Sequence, residues 1–249
     1  GIGCMEFFFK LYGDLPKQGP GSRVSTLKAL NFIPGHQSFK HILDVGCGTG
    51  RHTILLAKNT SARISALEFY DQQIMTLRNN IQKENLSERI EIVKGDMADL
   101  SFAQTKFDLI WSESSIYNVG FEKGLKAWRN FIREEGYLAV SEAVWLTDKP
   151  SDEIKKWWGE AYPDMKTIDQ NRDIIELCRY DLLTHFILPK NDWWDDYYDI
   201  LEKQVVEFQN NNLNDEEREV ISMTRLEIDM YKQYSDQYGY AFFVMKKRS

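Results

Sequence analysis

The run Ile42-Leu43-Asp44-Val45-Gly46-Cys47-Gly48-Thr49-Gly50 is an apolar stretch that enters a glycine-rich turn and then a helical pattern. Glycine at such a turn lets a ligand lie on bare backbone, because no Cβ stands in the way. The spacing is G-x-G-x-G, whereas the dinucleotide fingerprint is G-x-G-x-x-G, and Arg51 stands where the third glycine of that fingerprint would fall. A nicotinamide or flavin fold is therefore disfavoured. Two acids follow at later strand ends, Glu68 and Asp96; taken singly, each is equally well a strand-end or helix-capping carboxylate. Cys47 reads as a small packing residue rather than a nucleophile. No His, Cys, Asp and Glu cluster has metal-ligand spacing, so no metal is expected, and nothing resembles a Ser/His/Asp arrangement.

The elements that must position these residues alternate along residues 40–144. Short β-branched runs at 41–45, 63–67, 89–93, 107–111 and 137–141 read as strands, separated by helical patterns at about 51–58, 71–84 and 121–133. Ile74, Leu77 and Ile81 fall on one helical face, as a crossover helix covering a parallel sheet requires. After Val144 the texture changes: Trp145, Trp157, Trp158, Trp193 and Trp194 are five of the seven tryptophans, and Tyr162, Tyr197 and Tyr198 accompany them. Within this aromatic-rich insertion a helix starts near 149–153 and a strand at 181–188 ends at Pro189. A polar helical tract at about 192–234, broken near 210–212, leads to a last buried strand at 240–245. The first 35 residues read as a helix, a Pro/Gly loop at 18–22 and a second helix through 24–31.

With Asp44 at its acidic position, the glycine turn resembles motif I of the class I S-adenosylmethionine-dependent methyltransferases. The supporting motifs come in that family's order. Glu68, with Phe69 beside it, stands where the family places an acid that accepts from both ribose hydroxyls. Gly95-Asp96-Met97 is similar to the adenine site, where the carboxylate takes the exocyclic amine and the apolar neighbour packs the ring. Ser112 stands near the methionine end of the cofactor. The resemblance implies an α/β Rossmann-like class I methyltransferase fold with a seven-stranded, mostly parallel sheet and helices on both faces. As one domain it would comprise an N-terminal helical lid (1–35), a cofactor-binding core (36–145), a helical aromatic-rich insertion on the substrate side (146–200), and C-terminal helices with the last strand (201–249). The cofactor contacts it implies are Asp44, Gly46, Cys47, Gly48, Glu68, Phe69, Asp96, Met97, Ser112 and Gln18. Gln18 and Lys17 are either a closure over the cofactor's carboxylate or exposed loop residues. S-adenosyl-L-homocysteine would be the product.

Residues 15–22, 110–118 and 141–145 are further similar to a group of bacterial small-molecule methyltransferases related to those of quinone biosynthesis. The aromatic insertion departs from the quinone enzymes, so their substrate does not transfer. Methyl transfer from a sulfonium is an in-line displacement, and positioning with exclusion of water supplies much of the acceleration. A base is needed only where the acceptor must lose a proton. Glu113, Glu142 and His185 are the candidates, each with a structural alternative: an ion-paired carboxylate, a hydrogen-bonded carboxylate and a satisfied strand histidine. Tyr117 either orients the acceptor or caps the next helix. The five tryptophans either wall an apolar or cationic acceptor or form a core that docks the insertion. Glu113, Tyr117 and His185 are carried forward as the catalytic candidates.

The whole-chain composition bounds the partners. Against 38 acidic residues stand 31 lysines and arginines, a net charge of −7 with no long block of one sign, which argues against nucleic-acid binding and for a small-molecule acceptor. With 43% hydrophobic and 28% charged residues the chain is ordinary for a globular body. Three scattered cysteines suit a reducing, cytoplasmic setting. No apolar stretch reaches membrane-spanning length and no signal-peptide pattern opens the chain. Gly1-Ile2-Gly3-Cys4, without a leading methionine, is either native or introduced. A homodimer is one admissible assembly. A protein that binds the cofactor without catalysis, and a protein or RNA methyltransferase, are the rival readings.

Overall fold

The computed structural model describes residues 2–13 and 15–249; Gly1, part of the opening tetrapeptide, lies outside them. Strand β1 (His41–Val45) is central, paired in parallel with β2 (Arg63–Glu68) on one side and β4 (Phe107–Glu113) on the other. A strand covered on both faces must be apolar on both, which is why Ile42, Leu43 and Val45 form a run instead of alternating. The sheet order is β3-β2-β1-β4-β5-β8-β7, with β3 (Ile90–Lys94), β5 (Ile132–Trp145), β7 (Tyr180–Ile187) and β8 (Tyr238–Lys247). Pairings from β3 to β5 are parallel, and β8 runs antiparallel to both β5 and β7. To the seven expected strands the structure adds β6 (Lys166–Thr167), a short parallel partner for the end of β5.

Helices cover both faces. On one, α3 (Arg51–Asn59) and α4 (Asp71–Lys83) bury Leu56, Ala57, Leu77 and Ile81; on the other, α5 (Phe121–Arg129) buries Phe121, Leu125 and Trp128 beside α7 (Ile168–Leu177). The winding direction reverses between β1 and β4, so the loops at their carboxyl ends diverge and leave a crevice, the usual ligand position in such sheets. The fifth expected helix boundary is corrected. The helix stops at Arg129, and residues 132 and 133 already belong to β5, because Ile132 pairs with Phe107 of β4. That tertiary pairing overrides the local helical pattern.

The N-terminal segment forms α1 (Ile2–Tyr12) and α2 (Arg23–Asn31), the latter started by Ser22, whose side chain accepts from the Ser25 amide at 3.0 Å. In the insertion, α6 (Asp152–Ala161) follows Ser151, and α7 opens on a reciprocal capping box between Thr167 and Gln170. The later tract comprises α8 (Asn191–Trp193), a π-helical turn over Trp194–Tyr198, α9 (Asp199–Gln209) and α10 (Asp215–Tyr234), with the break where the asparagine run predicts it. α1 packs against α9 and α10.

Candidate functional site

A cavity of about 500 Å³ lies at the carboxyl ends of β1, β2 and β4. Its floor is the glycine turn. The amides of Gly46 and Cys47 both donate to the Leu67 carbonyl, at 3.0 and 3.1 Å, which bends the chain over the end of β2. Gly46 and Gly48 hold φ of +68° and +58°, the left-handed region that glycine enters without a Cβ penalty. Beneath the turn Asp44 is fully buried, accepting from Thr53 Oγ1 at 2.6 Å and paired with His52 Nε2 at 3.1 Å. Ser112 is likewise buried, with its hydroxyl donating to the Val45 carbonyl at 3.1 Å. Neither reaches the cavity wall, so the structure places these two expected cofactor contacts as supports of the turn.

Gly46, Cys47, Gly48, Glu68, Phe69, Asp96, Met97 and Gln18 do line the cavity. Glu68 accepts from the Gly48 amide at 3.1 Å through one oxygen and from the Phe69 and Tyr70 amides at 2.7 and 3.0 Å through the other. Asp96 is exposed and caps the Ala98 amide at 2.9 Å. Gln18 folds back on the Leu15 carbonyl at 3.1 Å. Burial, with the charges of Asp44 and Glu68 nearby, pushes the Cys47 thiol far above its ordinary range, which suits a packing role.

Glu113 ends β4 and is committed to its neighbours. One oxygen receives Thr26 Oγ1 at 2.7 Å and Trp111 Nε1 at 2.9 Å, and the other lies 3.3 Å from Lys17 Nζ. Burial works against its charge, but Lys17, His52 and the two hydrogen bonds prevail and hold the carboxyl at about 2. Lys17 is thus a buried ion-pair partner, not an exposed loop residue. Ser114 follows with φ of +55°, held by the Ser141 hydroxyl, which accepts from its amide at 2.8 Å; strain of this kind in a non-glycine residue on a cavity wall is a mark of sites.

The mouth of the cavity is aromatic. Tyr117 shares it with Phe8, Phe9, Phe69 and Tyr70, together with Met5. Tyr117 is 41% exposed and lies 5.8 Å, ring to ring, from Tyr162, whose hydroxyl donates to Glu142 Oε2 at 2.6 Å. Burial pushes the Glu142 carboxyl up to about 8. His185 is not brought here: it lies on edge strand β7, its ring stacked on Phe243 at 6.3 Å. The five tryptophans are absent from the lining as well. Trp193 stacks on Tyr231 at 4.3 Å and Trp158 meets Tyr238 edge-on at 5.2 Å, so they dock the insertion onto α10 and β8.

Sequence reasoning read α1 as part of a helical lid and Arg51 as the residue after the glycine turn, and named neither among the site residues. Met5, Phe8, Phe9 and Tyr12 have the three- and four-residue spacing of one helical face, a signal that was available. Arg51 lines the cavity, and its Nη1 lies 2.8 Å from Oδ2 of Asp196 in the π-helical turn. The donor set suits an adenosine with a charged amino-acid tail. Bare left-handed backbone at the turn admits close approach, carboxylates at Glu68 and Asp96 can accept from hydroxyls and an amine, and the cations of Lys17 and Arg51 stand at the same wall. Among the described residues no group of three or more His, Cys, Asp and Glu side chains could hold a metal ion.

A family model described as a methyltransferase domain matches residues 36–205. Sterol 24-C-methyltransferase ERG6 of Saccharomyces cerevisiae is 28% identical over 174 residues, covering 66% of this chain and 45% of that protein. The methyltransferase GfsG of Streptomyces halstedii is 29% identical over 131 residues, 52% of this chain and 46% of that one. The chain spans under half the length of these relatives. In fold it is similar to YjhP of E. coli (TM-score 0.85, 16% identity, 98% of this chain and 100% of that chain). It is also similar to a methyltransferase of Geobacter sulfurreducens solved with S-adenosyl-L-homocysteine (TM-score 0.82, 15% identity, 98% of each chain).

Proposed function

The chain belongs to the methyltransferase-domain family, and on that premise we propose that it is an S-adenosylmethionine-dependent methyltransferase acting on a small-molecule acceptor. The observation that carries this reading is one continuous cavity with two chemically distinct halves: a glycine-and-carboxylate cradle at the sheet's switch point, and a mouth of aromatic rings. The cofactor supplies an electrophilic methyl group on a sulfonium, open to in-line displacement.

The chain's own residues position and enclose. Gly46 and Gly48 present bare backbone, Glu68 accepts from the ribose hydroxyls, Asp96 and Met97 receive the adenine, and Lys17, Arg51 and Gln18 face the amino-acid end. The rings of Phe8, Phe9 and Tyr70 close the mouth against water, which would otherwise solvate the reacting groups. Tyr117 orients the acceptor. Glu113 is an ionised anchor whose oxygens are occupied, and is not a proton acceptor in this reading.

A small acceptor is supported by the cavity's size, by the net charge of −7, and by sterols and geranyl diphosphate as the substrates named for relatives and fold neighbours. Among the described residues no helix is long and apolar enough to cross a membrane.

The test is calorimetric titration with S-adenosyl-L-homocysteine, then incubation with methyl-labelled cofactor and cell extract fractionated by size. Binding followed by label in a low-mass compound is the expected result. Label in protein or RNA overturns the small-molecule acceptor, and absence of binding overturns the whole reading.

A further inference from the structure

Large apolar side chains that stay exposed carry information when they gather at one place. Met5, Phe8, Phe69, Tyr70 and Tyr117 are between 40 and 55% exposed, and all five line the same cavity. Helix α1 gives that wall Met5, Phe8 and Phe9, while Glu6 and Lys10 of the same helix do not line it.

The wall is built before any guest arrives. Phe9 meets Tyr70 edge-on with ring centroids 5.5 Å apart, which joins α1 to the segment between β2 and α4. Phe8 stacks on Tyr12 at 4.2 Å, and the Tyr12 hydroxyl lies 3.5 Å from Thr224 Oγ1 of α10. Rings held by packing in this way lose little further freedom when a guest binds, so the apolar area they offer counts toward affinity.

The cavity's charges are committed within the protein. Lys17 pairs with Glu113 at 3.3 Å, Arg51 with Asp196 at 2.8 Å and His52 with Asp44 at 3.1 Å; Glu68 accepts from three backbone amides and Asp96 from one. None of these charged residues belongs to α1 or to the turns that carry Tyr70 and Tyr117. A charged group entering the mouth would lose hydration without gaining a counter-charge. An uncharged apolar body bears no such cost, and the rings remove it from water.

We propose that the acceptor is a molecule uncharged at neutral pH with an apolar body, held at the mouth by Met5, Phe8 and Phe9 of α1 against Tyr70 and Tyr117. This rests on the methyltransferase reading above and names its substrate class.

The test is binding, independent of turnover. Protein saturated with S-adenosyl-L-homocysteine is titrated calorimetrically near neutral pH with naphthalenemethanol, with its anionic and cationic counterparts naphthoate and naphthalenemethylamine, and with the smaller benzyl alcohol. Naphthalenemethanol is expected to bind roughly tenfold or more tightly than either charged probe, as an unpaired charge in the mouth would cost. It should also bind about fivefold to tenfold more tightly than benzyl alcohol, as burial of the second ring would give. Phe8→Gln should weaken naphthalenemethanol by about fivefold to tenfold, with retained S-adenosyl-L-homocysteine binding as the check on folding. Where that variant fails the check, Met5→Gln at the exposed mouth decides, and should weaken the same probe.

No binding of naphthalenemethanol, equal or tighter binding of either charged probe, no gain from the second ring, or an unchanged affinity in the deciding variant overturns the inference and leaves the methyltransferase reading standing. If the wild-type protein fails to bind S-adenosyl-L-homocysteine, both fall.

Discussion

Lys17 Nζ lies 3.3 Å from Glu113 Oε1, and this buried ion pair joins the loop after α1 to the end of β4. Thr26 of α2 and Trp111 fill the other oxygen of the same carboxylate. The N-terminal segment is thus tied to the cavity wall by charge as well as by packing. Removing one partner of a buried pair leaves the other uncompensated, at a cost of about 3–5 kcal/mol. Lys17→Met is expected to lower stability by that order in urea unfolding, with faster proteolytic cleavage of the first 22 residues; unchanged values would show that the pair holds nothing in place.

Glu113 and Glu142 impose opposite pH dependences. The Glu113 carboxyl falls from its usual 4.5 to about 2 on folding, so its contribution is present above 4.5 and is lost as pH falls through 2. It amounts to about 3 kcal/mol at most. The Glu142 carboxyl rises from 4.5 to about 8, so its contribution is present below 4.5 and declines as pH rises through 8. Between about pH 4.5 and 8, urea midpoints are expected to decline less steeply in Glu142→Gln than in the wild type. An identical slope in both proteins would contradict the assignment.

Gly46 admits no side chain. A Cβ there would overlap Ser115 Oγ, and its φ of +68° is strained for any L residue. Gly46→Ala is expected to abolish detectable S-adenosyl-L-homocysteine binding in calorimetry and to lower stability by roughly 1–3 kcal/mol.

At Glu68 the charge is the point. Glu68→Gln replaces an acceptor-only carboxylate with an amide that has one acceptor oxygen. The expected result is a fall in S-adenosyl-L-homocysteine affinity of about tenfold to a hundredfold, as loss of a charge-assisted bond implies. Affinity within experimental error of wild type would remove Glu68 from the cofactor set.

The tryptophans separate packing from recognition. Trp193→Ala empties a buried ring that stacks on Tyr231, at a cost of about 3–5 kcal/mol. Because Trp193 does not line the cavity, cofactor affinity at a temperature where the variant is folded should stay within about threefold of wild type. A large fall in affinity with little loss of stability would return this residue to the acceptor site.

Much of the proposed cofactor half was legible in the chain. Glu68, Asp96 and the glycine turn belong to successive βα units, so their order along the sequence is also their order along the rim of the sheet. Ile74, Leu77 and Ile81 announce α4 for the same local reason. The roles of Asp44 and Ser112 were not legible, since a position at a strand end does not say whether a side chain points under the turn or into the space above it. Nor was the proposed acceptor half. Arg51 and Asp196 are 145 residues apart, Tyr12 and Thr224 are 212 apart, and the docking of α1 beside α10 is what brings Phe8 and Tyr117 to one cavity. Periodicity and motif order report contacts that the backbone makes within a few residues. Side chains from distant segments meet through the burial of whole faces, and that choice is made by the packed molecule.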